Sequence, residues 1–316
     1  MQRYIIRRLI LLIPTLLGVS IIVFAGVRFL PGDVIDQMLG ESGGANPELR
    51  QQLAESYSLS GSMPEQYVEW MSDIVRGDLG TSILSGRPVV QDLKTRLAVT
   101  AELGMLALVV TVIIALPVGV ISAIRQNTLI DLLARSLSIG LLAIPSFWLA
   151  LMVITYGFVW FHWTPPLSYE NLWDKPLTNL MIMWVPAVIL GAIFAGQVMR
   201  FTRSTMLEVL RQDYVRTAWA KGLGERVIVL RHCLRNALIP VVTVIGTQLA
   251  VLVGGTVVLE YIFTLPGMGG YLLVALQQRD YPIVQAIVLI AALWVVAVNL
   301  IVDLSYTFLD PRIRYT

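Results

Sequence analysis

Six stretches of this chain are each about 20 residues or more of mostly apolar sequence, the length an α-helix needs to cross about 30 Å of hydrocarbon. They run from Leu9 to Val27, Ala98 to Ile124, Leu137 to Phe161, Leu177 to Met199, Ala237 to Ile262 and Ile283 to Leu304. Lipid offers the backbone no hydrogen-bond partner, so a block of this kind is stable only as a helix that satisfies its own N–H and C=O groups. The sequence therefore predicts an all-α, polytopic membrane protein with six transmembrane helices. Composition agrees: 56% of the 316 residues are hydrophobic and 14% charged, against about 25% charged in a soluble domain. The first block follows Arg3, Arg7 and Arg8 as a signal peptide would. Its apolar core is too long for one and no small-x-small cleavage site precedes Arg28, so it is expected to stay as the first helix.

Orientation follows from the placement of Lys and Arg, which accumulate on the cytoplasmic side. Arg3, Arg7, Arg8, Arg125, Arg135, the eight basic residues from Arg200 to Arg235, Arg312 and Arg314 make fifteen on one side. The opposite short segments hold Lys175 and Arg279, and the long segment from Pro31 to Leu97 carries five basic and ten acidic residues. Both termini are expected in the cytoplasm and the acidic segment outside. The expected organisation is a cytoplasmic N-terminus and first helix at 1–30, an extracytoplasmic loop domain at 31–97, and a five-helix core at 98–316 with a cytoplasmic loop at 200–236. Asn46-Pro47-Glu48 and Met63-Pro64-Glu65 read as helix starts with Pro in the first turn, and Gly77 as a stop, which makes the outer loop a helical cap. Its acids suit either a cationic ligand or a solvated face.

Small residues recur at four-residue intervals in three spans: Ala115, Gly119 and Ala123; Ala187, Gly191 and Ala195; Gly246, Ala250 and Gly254. Such stripes allow close helix contact in lipid, either within the chain or with a second membrane subunit. Pro117, Pro145 and Pro186 lie within spans and are expected to bend them. Polar groups in or at the ends of the spans are Arg28, Glu102, Gln197, Thr243, Thr247, Gln248, Glu260, Gln285, Asn299 and Asp303. An ionisable residue in a span is a functional candidate by default. Glu102 and Glu260 are candidates for an outer gate or interface, with anchoring or interhelical pairing equally open for them, as for Arg28 and Asp303. Thr243, Thr247 and Gln248 lie deeper and are the candidates for a translocation path, although a Thr can also bond back to its own helix.

Catalytic and metal chemistry find little support. One cysteine, Cys233, and two histidines, His162 and His232, leave no cluster for a metal site. Gly40-Glu41-Ser42-Gly43-Gly44 matches G-x-S-x-G, but that nucleophile elbow needs a strand before it and a helix after. No H-E-x-x-H or G-x-x-x-x-G-K-[ST] is present, so ATP, if it drives this chain, is hydrolysed by another one. A membrane-embedded hydrolase would need a nucleophile and base at membrane depth. An ion channel would need charged rings or a carbonyl filter.

The most informative segment lies between the fourth and fifth blocks, from Asp213 to Pro240. Asp213 is placed to cap a helix that Gly222 ends, about 12 Å further on. After Gly224 a second helix is expected to carry Val227, Leu230 and Leu234 on one face, so that helix, glycine turn and helix project into the cytoplasm. A basic segment lying on the lipid surface is the other reading of these residues.

Asp213-Tyr-Val-Arg-Thr-Ala-Trp-Ala-Lys-Gly222 resembles the E-A-A-x3-G loop of ABC importer permeases, in particular the dipeptide/oligopeptide/nickel permease family. Motifs along the chain carry the same resemblance: Arg7-Arg8, Leu30-Pro31-Gly32-Asp33, Gly77-Asp78-Leu79-Gly80-Thr81-Ser82, Thr100-Ala101-Glu102-Leu103, Asn236-Ala237-Leu238-Ile239-Pro240, Leu265-Pro266-Gly267, Arg279-Asp280-Tyr281-Pro282 and Asp310-Pro311-Arg312-Ile313-Arg314. Arg216 and Thr217 replace the Glu and first Ala of the general pattern, and Arg235 departs from its Leu-Pro ending, as is typical of this branch.

The resemblance implies the type I permease fold and the dipeptide-permease-like first subunit of an importer in a bacterial or archaeal inner membrane. The implied partners are a homologous second permease, two ABC ATPase subunits and an extracytoplasmic solute-binding protein. ATP and magnesium would sit on the ATPases, with no cofactor or metal on this chain. The ATPase-coupling segment maps onto Asp213, Arg216, Thr217, Ala218, Ala220, Lys221, Gly222, Glu225 and Arg226. Family substrates are short peptides, with nickel chelates, glutathione or oligosaccharides as alternatives. Free nickel lacks support, because no His or Cys lies deep in a span.

Overall fold

The computed structural model describes residues 2–29, 48, 51–52 and 61–309. The helix start at Asn46-Pro47, the Gly40–Gly44 segment and the motifs beginning at Leu30 and Asp310 lie outside the described residues. Among the described residues five helices are long and apolar enough to cross a membrane, and a pair of helices bent by 99° meets the same measure when taken together. The elements are α1 (Gln2–Arg28), α2 (Met63–Val75), α3 (Val89–Ile124), α4 (Leu129–Ala143), α5 (Ser146–Phe161), α6 (Pro176–Leu210), α7 (Asp213–Ala220), α8 (Glu225–Gly255), α9 (Val257–Ile262), α10 (Met268–Gln277) and α11 (Tyr281–Leu309).

The six apolar blocks are all helical, with three differences from the expected boundaries. Helices α3 and α6 have 36 and 35 residues. They outrun their apolar cores because a helix continues wherever propensity and capping allow, while hydropathy marks only the part that lipid contacts. The third block is broken. Ile144 is extended, and Pro145, also extended at ψ 137°, caps α5, so the 99° bend falls where proline denies its predecessor the helical region. Pro117 and Pro186, by contrast, lie inside continuous helices. The fifth block and the helix expected after Gly224 are one element, α8, which ends at Gly255 and contains a π-helical turn at Ile228–Cys233.

The described residues divide into two compact units, one made of those up to 100 and 266–294, the other of 101–265 and 295–309. In the first unit α2 starts as the sequence predicts, with Pro64 in its first turn and the Glu65 carboxylate accepting from the Ser62 backbone N–H at 2.9 Å. That hydrogen bond holds the Glu65 carboxyl below its ordinary range. Gly77 follows the C-cap with φ +85°, the left-handed stop expected there. Helix α2 packs on the end of α1 through Phe24, Tyr67 and Trp70, with Ser20 Oγ 2.8 Å from Tyr67 Oη and Arg28 Nε donating to Gln66 Oε1 at 2.9 Å. The turn after Gly77 is tied to the start of α11: buried Asp280 accepts from Ser82 Oγ at 2.5 Å and from the Ile83 N–H at 3.3 Å.

In the second unit α6 packs against α4, α5 and α8. Two of the small-residue stripes are used here. A Cβ on Gly119 would lie 2.7 Å from Thr202, and one on Gly191 would lie 2.6 Å from the Ala107 carbonyl oxygen. Ala115, Ala123, Ala187 and Ala195 are buried beside them. The third stripe is used only in part: Gly246 packs directly on Val302, whereas nothing lies within 4 Å of a Cβ on Gly254.

Candidate functional site

The segment following α6 folds into a short helix and a glycine stop, and both have local causes. Gln212, extended at ψ 147°, is the N-cap of α7. Asp213 is therefore the first helical residue rather than the cap, and its carboxylate, 96% exposed, faces Arg216 at 3.5 Å. An acid in the first turn still opposes the positive end of the helix dipole. At the other end Gly222 has φ +75°, its N–H donates to the Trp219 carbonyl at 2.9 Å, and the Leu223 N–H reaches back to Ala218 at 3.4 Å. This is a Schellman stop, which requires the left-handed conformation that glycine adopts without penalty.

Helix α7 is held by two side chains. Val215 and Ala218 are buried in a core with Val120, Ala123, Met206, Ile228, Val229, Cys233 and Ala237. Tyr214 adds a polar tie, accepting at its hydroxyl from Asn236 Nδ2 at 2.7 Å. Arg216, Thr217, Ala220, Lys221, Gly222, Glu225 and Arg226 are exposed around that anchor, as are the large apolar residues Trp219, Leu223, Val227 and Leu230. Of the α8 face expected to be apolar, Leu234 packs half-buried against this core, whereas Val227 and Leu230 are exposed. Ile228, Val229 and Cys233 take the core because the π turn rotates the helix register.

The candidates for a path lie on the middle of α8. Gln248 Nε2 donates to Gln197 Oε1 on α6 at 2.5 Å, joining two polar residues singled out in the sequence. Thr247 is exposed and bonds back to the Val244 carbonyl at 2.8 Å, and Thr243, one turn earlier, is half-buried. Glu102 accepts from the Tyr169 hydroxyl at 2.9 Å. Burial, followed by that hydrogen bond and the Glu102 charge, pushes the Tyr169 hydroxyl above its ordinary range, so it remains a donor. Glu260, on α9, is fully buried. Among the described residues no group of three or more His, Cys, Asp or Glu side chains is arranged to hold a metal ion.

A short anchored helix thus lies between two membrane-length helices, with charged and apolar residues exposed on it. Residues 115–315 match the family model of the binding-protein-dependent transport system inner membrane component, and residues 1–104 match the N-terminal model of such components. The chain belongs to this family. It is 39% identical to a dipeptide transport system permease protein of Escherichia coli K12, covering 100% of this chain and 99% of the relative. Over the full length of both chains it is 38% identical to a dipeptide transport system permease protein of Alkalihalophilus pseudofirmus and to a glutathione transport system permease protein of Pectobacterium atrosepticum. The permease is thus a multi-pass subunit of an ABC importer, of a bacterial inner-membrane transport family, and a transport protein rather than an enzyme.

Two polar clusters of the permease were not singled out as sites in the sequence. Asp131, fully buried at the start of α4, accepts from Arg203 Nε and Nη2 on α6 at 2.7 and 3.0 Å, from Ser122 Oγ on α3 at 2.6 Å, and from the Asn127 N–H at 2.9 Å. Asp280 with Ser82 is the second. Its only sequence signal is that both residues fall in motifs the chain shares with permeases of this kind.

Proposed function

We propose that the permease forms part of a translocation path for di- or oligopeptides, working with a second permease, two ATPase subunits and an extracytoplasmic solute-binding protein. Full-length similarity to dipeptide permeases supports the peptide reading. The glutathione permease relative favours the same class, since glutathione is itself a small peptide. ATP and its metal ion sit on the partners, and both termini and the 200–236 loop face the cytoplasm, as the fifteen basic residues indicate. The extracytoplasmic side takes residues 31–97 and the path takes Thr243, Thr247 and Gln248, with Glu102 and Glu260 at its outer end.

One observation carries the coupling assignment. Helix α7 is fixed to the bundle by Val215 and Ala218 while Trp219, Lys221 and Leu223 are turned outward, so force applied to the exposed face reaches α3, α6 and α8 through a packed core. The test is a thiol at position 220. Cys233 is the sole cysteine and is buried, so Ala220→Cys introduces one accessible thiol. It should cross-link to an ATPase subunit in the assembled importer and react with impermeant reagents only from the cytoplasmic side. Labelling from the outside would overturn both the coupling assignment and the orientation.

A further inference from the structure

An apolar groove of about 820 Å³ opens between the end of α3 and the start of α8, both in the second unit. Leu116, Ile121 and Leu230 are among its walls, and its charged lining residues are Arg125, Glu225 and Arg226. Ile121 and Leu230 are 46% and 50% exposed. The charges are confined to one end. Arg125 directly follows the last residue of α3, and Glu225 and Arg226 open α8. Leu116 lies nine helical residues behind Arg125, about 13 Å at the α-helical rise. Half the hydrocarbon thickness of a bilayer is about 15 Å.

The groove thus runs from a cationic mouth, at the level where a helix leaves the membrane, to an apolar end near the bilayer centre. That is the distribution of an anionic phospholipid, with its phosphate at the two arginines and an acyl chain along the apolar wall. Glu225 reduces the positive charge of the mouth without reversing it. We propose that this groove holds an anionic phospholipid of the cytoplasmic leaflet. Two of its wall residues, Val120 and Val229, also belong to the core that anchors α7, so the lipid lies against the same packing that supports the coupling helix. The proposal rests on the membrane orientation above, and because Glu225 and Arg226 also lie in the coupling segment its test reads bound lipid rather than transport.

The test titrates the delipidated importer complex with dioleoylphosphatidylglycerol or dioleoylphosphatidylcholine, without ATP, and reads bound lipid by native mass spectrometry. The wild-type complex should prefer phosphatidylglycerol. The double variant Arg125→Gln/Arg226→Gln should lose about fivefold in phosphatidylglycerol affinity per arginine, the ratio equivalent to about 1 kcal/mol for a basic residue near an anionic surface. Its phosphatidylcholine binding should fall by less, because the choline cation already offsets that lipid's phosphate. Ile121→Trp, which narrows the groove and keeps the charges, should weaken both. Equal affinity for the two lipids in the wild type, or a preference that survives all these changes, would overturn the site. A Leu230→Cys thiol that cross-links to a partner subunit would assign the groove to a protein and also overturn it.

Discussion

The Asp131 cluster invites a double-mutant cycle, because its cost can be worked from geometry. Arg203→Met keeps the aliphatic stem and removes the guanidinium that makes two hydrogen bonds to a carboxylate with 0% exposure. A buried charge that loses its partner costs about 3–5 kcal/mol. The lower end is expected here, since Arg135 remains 3.6 Å from Asp131 and Ser122 and Asn127 still donate. Asp131→Asn removes the charge but keeps the shape, weakening charge-assisted hydrogen bonds of about 1.5–3 kcal/mol each. In the double variant neither charge is left uncompensated, so its cost should fall below the sum of the single costs by about 2 kcal/mol, within the range for residues in one network. Unfolding in mixed detergent micelles, measured on the four proteins in parallel, gives the cycle. Additivity within about 0.5 kcal/mol would refute the account, because it is the behaviour of independent sites.

The glycine stripes make a second prediction. Gly191→Ala places a methyl 2.6 Å from a backbone oxygen and should cost about 1–3 kcal/mol in the same assay, as overpacking does. Gly254→Ala meets nothing within 4 Å and should stay within about 0.5 kcal/mol of the wild type, as substitutions away from such contacts usually do. Gln248→Leu, which removes the bond to Gln197, should lower peptide uptake by reconstituted vesicles while leaving complex assembly intact; unchanged uptake across substrate concentrations would return Gln248 to helix packing.

Local rules made part of this fold legible. Met63-Pro64-Glu65 and Gly77 bound α2, and Gly222 stops α7, because capping depends on residues within one turn. The stripes at Gly119 and Gly191 were visible as stripes, yet their choice of partner within the chain was not, since periodicity does not name the facing helix. The register of α8 was misread for a related reason. Its π turn inserts an offset that a pattern of 3.6 residues does not contain, so Ile228 and Val229 take the core in place of Val227 and Leu230. Asp131 and Arg203 are 72 residues apart, and Ser82 and Asp280 are 198 apart. Such pairs arise from topology, to which composition and spacing are blind.

The central claim is that α7 and its glycine stop transmit the ATPase motion to the helices. Gly222 tests it, because a Cβ there meets no atom of this chain within 4 Å, so within the chain the substitution acts through the backbone conformation at φ +75°. That conformation costs a residue with a Cβ roughly 1–2 kcal/mol, and a β-branched residue has the fewest ways to accommodate it. The decisive measurement is uptake and ATPase activity on one reconstituted importer carrying Gly222→Val. The account predicts a complex that assembles and hydrolyses ATP without driving uptake; uptake at the wild-type rate would contradict it.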